Sequence, residues 1–238
     1  MARDHFLGNQ IWVEKEGRLK VEKKLDIEGK LYWRDLQTQK PYGLVVAGLA
    51  WPELKPGLVV VGAVDRIEDL ELEAWPITIL TEFGESDPTA LCKAALDLKN
   101  QYSIDSTYSY PNASMTDFLE AFNGDRRRRA LDQLSIIDAP ELHDGSILSG
   151  LQLVRRLTHT RRKILSFGSG SLIPRYLVSL SVEDAPGLTF QDEPSIAALS
   201  ACLSVLSAWR PRHEPVQTQA ITEFDLLGSG RDPDYEPR

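Results

Sequence analysis

Cysteine and histidine are scarce in these 238 residues, with two of the first and four of the second. Cys92 and Cys202 each fall on the apolar stripe of a predicted helix, where a lone thiol serves as a small core residue. Neither they nor His5, His143, His159 and His213 keep a zinc-ligand spacing, and nothing suggests a disulfide-built fold. No run approaches the ~18 apolar residues of a membrane span, and Met1–His5 lacks the apolar core of a signal peptide. The expectation is a soluble protein of the cytoplasm, with no membrane partner. Nucleotide and hydrolase signatures are missing too. There is no G-x-x-x-x-G-K-[ST] loop, and Gly168–Ser171 lacks the lysine that would follow. No G-x-S-x-G, H-E-x-x-H or dinucleotide fingerprint occurs. Positive charge is in deficit, with a net charge of −8, so any contact with nucleic acid has to come from a local basic patch.

What is present is a dense β core. Gly43–Trp51, Gly57–Val64 and Ile77–Phe83 are apolar runs rich in β-branched residues. The joints between them are short and turn-rich, which favours antiparallel hairpins. Asp87 and Pro88 then read as N-cap and first residue of a helix over 87–102, with Leu91, Ala94, Ala95, Leu98 and Tyr102 at helical spacing. A fourth strand follows over 103–110. The first two strands are apolar on nearly every residue, so both faces of the sheet should be covered.

Three segments are expected: a β-ribbon extension (1–40), an α/β domain (41–209) and a flexible tail (210–238). In the ribbon, Ile11, Val13, Leu19, Val21, Leu25, Ile27, Leu31 and Trp33 alternate with polar residues, and turns fall at Gly17 and Gly29. Its apolar face has to pack on the body, as an extension of the main sheet, or on a partner. Beyond the fourth strand, Ser114 starts a short helix that Gly124 ends, and Ser135–Asp138 is a fifth strand. A helix over 146–160, a strand over 163–167 and a short helix over 172–180 follow. Asp192–Pro194 starts a last helix with Ile196, Leu199, Leu203 and Leu206 as its stripe and Trp209 at its end. The tail carries Pro211, Pro215, Pro233 and Pro237 and few apolar residues, of which Phe224, Leu226 and Leu227 could dock on a partner.

The order β-β-β-α-β, then helix, strand, helices and a last helix entered at an acidic pair, resembles the RNase H-like nuclease domain of phage terminase large subunits. These are the DNA-packaging enzymes of tailed bacteriophages. The resemblance spans about residues 41–209, with Asp192–Leu199 similar to the family's Asp-Asp-x-x-Asp-Ala-Leu helix start. It implies an RNase H-like mixed sheet, three antiparallel strands followed by a helix and a parallel strand, with helices on both faces.

Chemistry in that family rests on about three carboxylates holding two divalent metals at neighbouring strand and helix ends. Here strand one offers Val46, Ala47, Gly48 and Leu49 where the family has its first Asp. The end of strand four offers Thr107–Tyr110 where the family has its second acid. Asp192 and Glu193 alone match in position, as metal candidates. Asp65, closing strand two, and Asp105, opening strand four, stand as candidate migrated ligands. The plain alternative for Asp192 and Glu193 is helix capping. A second constellation is basic: Arg126, Arg127, Arg128 and Arg129, then Arg155, Arg156, Arg161, Arg162 and Lys163. These fit phosphate contacts or solvated helix faces paired with local acids.

Three functions follow. The first is a phage or prophage protein with a degenerate terminase-nuclease-like domain. It would be an accessory or structural factor in viral DNA packaging, in the host cytoplasm, with double-stranded DNA and packaging or capsid proteins as partners. The second is an active DNA endonuclease with rearranged carboxylates, which would need Mg or Mn; otherwise no cofactor is expected. The third is a protein-binding module with no nucleic-acid role.

Overall fold

A computed structural model of the chain describes residues 19–51, 55–66, 75–110, 113–140, 146–158, 164–168, 171–179 and 187–209. The expected turn at Gly17, the strand residues Ile11 and Val13, the cations Arg161, Arg162 and Lys163, and the whole segment 210–238 lie outside the described residues.

The strands are β1 (Val21–Leu25), β2 (Leu31–Asp35), β3 (Pro41–Ala50), β4 (Gly57–Asp65), β5 (Ile77–Glu85), β6 (Thr107–Ser109), β7 (Ile136–Asp138) and β8 (Leu165–Phe167). The helices are α1 (Pro88–Gln101), α2 (Ala113–Arg128), α3 (Ile147–Thr158), α4 (Ile173–Ser179) and α5 (Pro194–Ala208). All eight strands form one mixed sheet. β3, β4 and β5 pair antiparallel in sequence order, β6 joins β3 in parallel, and β7 joins β6 in parallel. The core order β7-β6-β3-β4-β5 is the RNase H-like arrangement, with β8 added in parallel to β5.

The β1–β2 hairpin extends this sheet, since Trp33 registers with Tyr42 at the start of β3. Val21 and Trp33 are buried there, and the indole N–H of Trp33 donates to the Ser103 carbonyl at 2.9 Å. The distal half of its apolar face stays open, with Leu25, Ile27 and Leu31 exposed.

Apolar alternation on both faces of β3 and β4 builds two cores. On one face Val45, Ala47, Leu49, Val59 and Val61 pack under α1 and α2. On the other, Val46, Val60, Val64, Ile77 and Ile79 pack under α3 and α5. Asp87 caps α1 as expected, accepting from the Thr89 and Ala90 amides.

Two local expectations are corrected. Gly124 does not end its helix. Among the described residues nothing lies within 4 Å of where its Cβ would sit, and an interior glycine costs a helix only ~1 kcal/mol. α2 therefore runs on through Arg126–Arg128. It closes at Ala130, which takes φ 53° while the Leu131 amide returns to the Arg126 carbonyl. α5, in turn, is buried all round, with Ser195–Ser204 entirely buried, instead of showing a single stripe. Its small residues let the sheet approach on one side and α3 on the other.

Candidate functional site

α5 runs antiparallel to β3. Trp209, at its end, lies against Gly43, Cys202 lies by Val46 and Gly48, and Ala198 lies on Gly48. The head of α5 therefore sits past the C-terminal end of β3. β6 ends on the same side, because Leu49 registers with Ser109. This is the corner where the family resemblance expects carboxylates. Asp192 and Glu193 stand here, as the sequence implies.

Neither acid caps the helix through its side chain. Glu193, at the N-cap position, makes no side-chain cap bond. Asp192 turns back and accepts from the Thr189 amide at 2.7 Å and the Thr189 hydroxyl at 2.8 Å, closing the preceding turn. These bonds hold its carboxyl below the usual carboxylate range. Both side chains are engaged by neighbours that the proline at position 194 and the tight turn bring closer than the α5 amides. Glu193 is buried and faces Lys55 from the β3–β4 joint, Nζ to Oε1 3.7 Å. The same ammonium donates to the Asp192 carbonyl. In the sequence Lys55 is one residue of the turn-rich joint between β3 and β4. Its role depends on where α5 docks, and no local signal carries it.

The other two metal-ligand positions carry no acid. At Gly48 a Cβ would collide with the Ala198 carbonyl oxygen and come within 2.8 Å of the Cys202 amide nitrogen. No side chain fits there while α5 is seated. Ser109, at the end of β6, is fully buried, with its hydroxyl against the Met115 sulfur at 3.7 Å. Tyr110 follows, stacked on Phe190 with ring centroids 4.4 Å apart, and burial pushes its hydroxyl up to about 12.

Asp65 and Asp105 are not brought to this corner. Asp65 registers with Tyr42 at the opposite end of β3 and pairs with Lys40 at 2.7 Å. Asp105 precedes β6, level with Val45 by the β3–β6 register, and pairs with Lys23 of the hairpin. The eight-residue step from Tyr42 to Ala50 corresponds to roughly 26 Å of strand. Among the described residues no group of three or more His, Cys, Asp or Glu is arranged to hold a metal ion. The donor set does not fit a two-metal centre: one acidic corner is already met by an ammonium, and the central position is filled by backbone.

A buried carboxylate that the sequence reading missed is Glu82 of β5. It accepts from the Ser171 hydroxyl at 2.7 Å and from the Leu172 amide, and so closes the entry to α4. Burial raises its pKa above the ordinary value. Cys92 and Cys202 are buried thiols pushed up to about 12, consistent with the core role expected of them.

The arginines separate. Arg126–Arg129 end α2, whose Phe118, Leu119 and Phe122 pack on the α1 face of the sheet. Arg155 and Arg156 end α3, whose Leu153, Val154 and Leu157 pack on the α5 face. The two groups thus belong to opposite faces. Much of the first is tied locally. Arg128 and Arg129 reach Asp125 at 3.7 and 3.1 Å, Arg127 donates to Gln133 at 3.1 Å, and Arg126 donates to the Asp132 carbonyl. Arg155 and Arg156 are exposed. No helix among the described residues is long and apolar enough to cross a membrane.

No family model matches the chain, and no curated protein does. Among solved structures the chain is similar to the large terminase of a thermophilic bacteriophage. Against its ADP complex the identity is 10% with a TM-score of 0.45, covering 71% of this chain and 40% of that one. Against a second structure of the same terminase the identity is 10% and the TM-score 0.44, covering 69% and 39%. The chain thus spans about 40% of the length of that protein.

Proposed function

We propose that this chain is a non-catalytic RNase H-like domain that serves as an accessory or structural factor in viral DNA packaging. The observation that carries the non-catalytic part is the contact between Gly48 and α5. Two-metal hydrolysis needs a carboxylate near the centre of β3, flanked by others at the strand and helix ends. The helix backbone occupies that place, and of the remaining acidic corner Glu193 pairs with Lys55 while Asp192 accepts from Thr189. The packaging part rests on the strand order and on the Asp192–Leu199 helix start, and draws on the exposed Arg155 and Arg156 for contact with DNA phosphates.

The test is incubation of purified protein with plasmid in millimolar magnesium or manganese. The DNA should stay intact, and the Asp192→Asn, Glu193→Gln double variant should behave identically. Cleavage that disappears in that variant would promote the endonuclease reading. A salt-dependent gel-shift on the uncut plasmid then separates a DNA-contacting factor from a module that binds protein alone.

A further inference from the structure

β7 is the outer strand beside β6, and among the described residues its other edge pairs with no strand. The Ala139 amide donates to the Ser109 carbonyl at 2.7 Å. By the alternation of a strand, Ile137 then also points its N–H and C=O at β6, while Ile136 and Asp138 point theirs outward. Among the described residues those outward groups carry no hydrogen bond. Edges of this kind are templates for another strand unless proline, lysine or a covering element blocks them. Here the edge carries Ile137, 45% exposed, with Leu131, 47% exposed, close before it.

A groove of about 800 Å³ lies between this edge and α2. The helix runs antiparallel to β7. Met115 lies by Ser109, which registers with Asp138, and Asn123 holds both backbone groups of Leu134, at 2.8 and 2.9 Å. The charges along the groove are therefore polarised. Asp138 lies at one end, Glu120 lies midway, and Arg127 of the last α2 turn lies at the other end.

From this open edge and its polarised groove, we infer that β7 pairs antiparallel with β7 of a second copy about a two-fold axis at Ile137. A groove with Asp138 at one end and Arg127 at the other is complementary to itself under such an axis, which is the requirement of an isologous interface. Ile137 meets Ile137 of the second copy as a non-hydrogen-bonded pair. Ile136 faces Asp138 of the second copy, and each such pair exchanges both N–H···O=C bonds. That register carries the Asp138 carboxylate of one copy toward the Arg127 end of the other. The guanidinium keeps N–H groups beyond the one given to Gln133. The contact adds nothing to the α5 corner and is independent of whether the protein meets DNA.

The test uses the full chain. Sedimentation should show a concentration-dependent dimer. Arg127→Asp and Asp138→Arg should each weaken it, and the double variant should restore it by exchanging the two ends of the groove. Ile137→Cys should cross-link to a disulfide dimer under mild oxidation, because Cα atoms of a non-hydrogen-bonded pair lie about 4.5 Å apart, within disulfide reach. The native thiols are buried, so wild type should not cross-link. Ile27→Cys, fully exposed at the hairpin turn, serves as the collision control. A chain that stays monomeric with no cross-link at position 137 overturns the inference. So does a dimer that ignores both single reversals, or a 137 cross-link no faster than that of the control.

Discussion

Gly48 and Ala198 are pressed together with no space for a side chain between strand and helix. The contact closes the middle of the sheet, since α5 can lie this near only over a residue without a Cβ. Gly48→Ala should cost about 3 kcal/mol or more, as overpacking against backbone cannot be relieved by a rotamer change. Gly48→Asp should leave the chain unfolded, because it adds a buried charge to the same clash. Urea denaturation measures the first, and a circular-dichroism melt the second. A stable, cooperatively folding Gly48→Asp variant would mean that α5 can lift away, and the reading of a closed site would be lost.

Lys55 meets the buried Glu193 carboxylate from the β3–β4 joint. Lys55→Ala should destabilise by about 1–2 kcal/mol. That is less than for a fully enclosed pair, because the lysine is part-exposed. Adding Glu193→Gln should recover most of the loss. A double variant no better than the single one would show that the lysine acts through its bond to the Asp192 carbonyl alone.

Glu82 gives a pH signature. Its folded-state pKa is raised by burial above the ordinary 4.5, so the native state holds the proton more tightly than the unfolded chain does. Its contribution is then fully present below 4.5 and is lost as pH rises through the raised value. Glu82→Gln keeps the Ser171 and Leu172 bonds without the charge. The variant should match wild type in acid and exceed it in Tm at neutral pH. Glu82→Ala should lose about 1–3 kcal/mol by leaving the Leu172 amide unsatisfied. Parallel pH profiles for wild type and the Gln variant would remove this role.

Ser200 is fully buried, and among the described residues its hydroxyl has no hydrogen-bond partner where Gly150 of α3 crosses α5. Ser200→Ala should therefore stabilise the fold by about 1 kcal/mol. A calorimetric Tm below that of wild type would contradict it.

The arginines of α2 and α3 stand on opposite faces. Reversing Arg155 and Arg156 to Glu should flatten the salt slope of DNA binding by about 0.9 for each phosphate no longer neutralised. Reversing Arg126–Arg129 should act separately and additively. Unchanged affinity in both variants would exclude phosphate binding by either group.

Some of this molecule is decided locally and was readable along the chain. The β3–β5 strands follow from apolar, β-branched runs with short joints, and α1 follows from Asp87, Pro88 and a helical period. The absence of acid in Val46–Leu49 and Thr107–Tyr110 is likewise a property of the sequence alone. The length of α2 was not readable, because Gly124 is a stop signal only when its surroundings make it one. Nor was the use made of Asp192, whose oxygens have a nearer donor in Thr189 than in the helix they precede.

Tertiary structure alone decided which of those residues meet. Asp65, Asp105, Asp192 and Glu193 are all carboxylates at element ends, yet Asp65 registers with the start of β3, Asp105 falls near its middle, and Asp192 and Glu193 sit past its end. Arg126–Arg129 and the pair Arg155 and Arg156 are near one another in sequence and divided by a sheet in space. Composition and periodicity specify what each segment is. The direction in which α5 crosses β3, and the residue over which it does so, come from packing between segments about 150 residues apart. That crossing turns an acidic helix start into a closed corner held by a lysine.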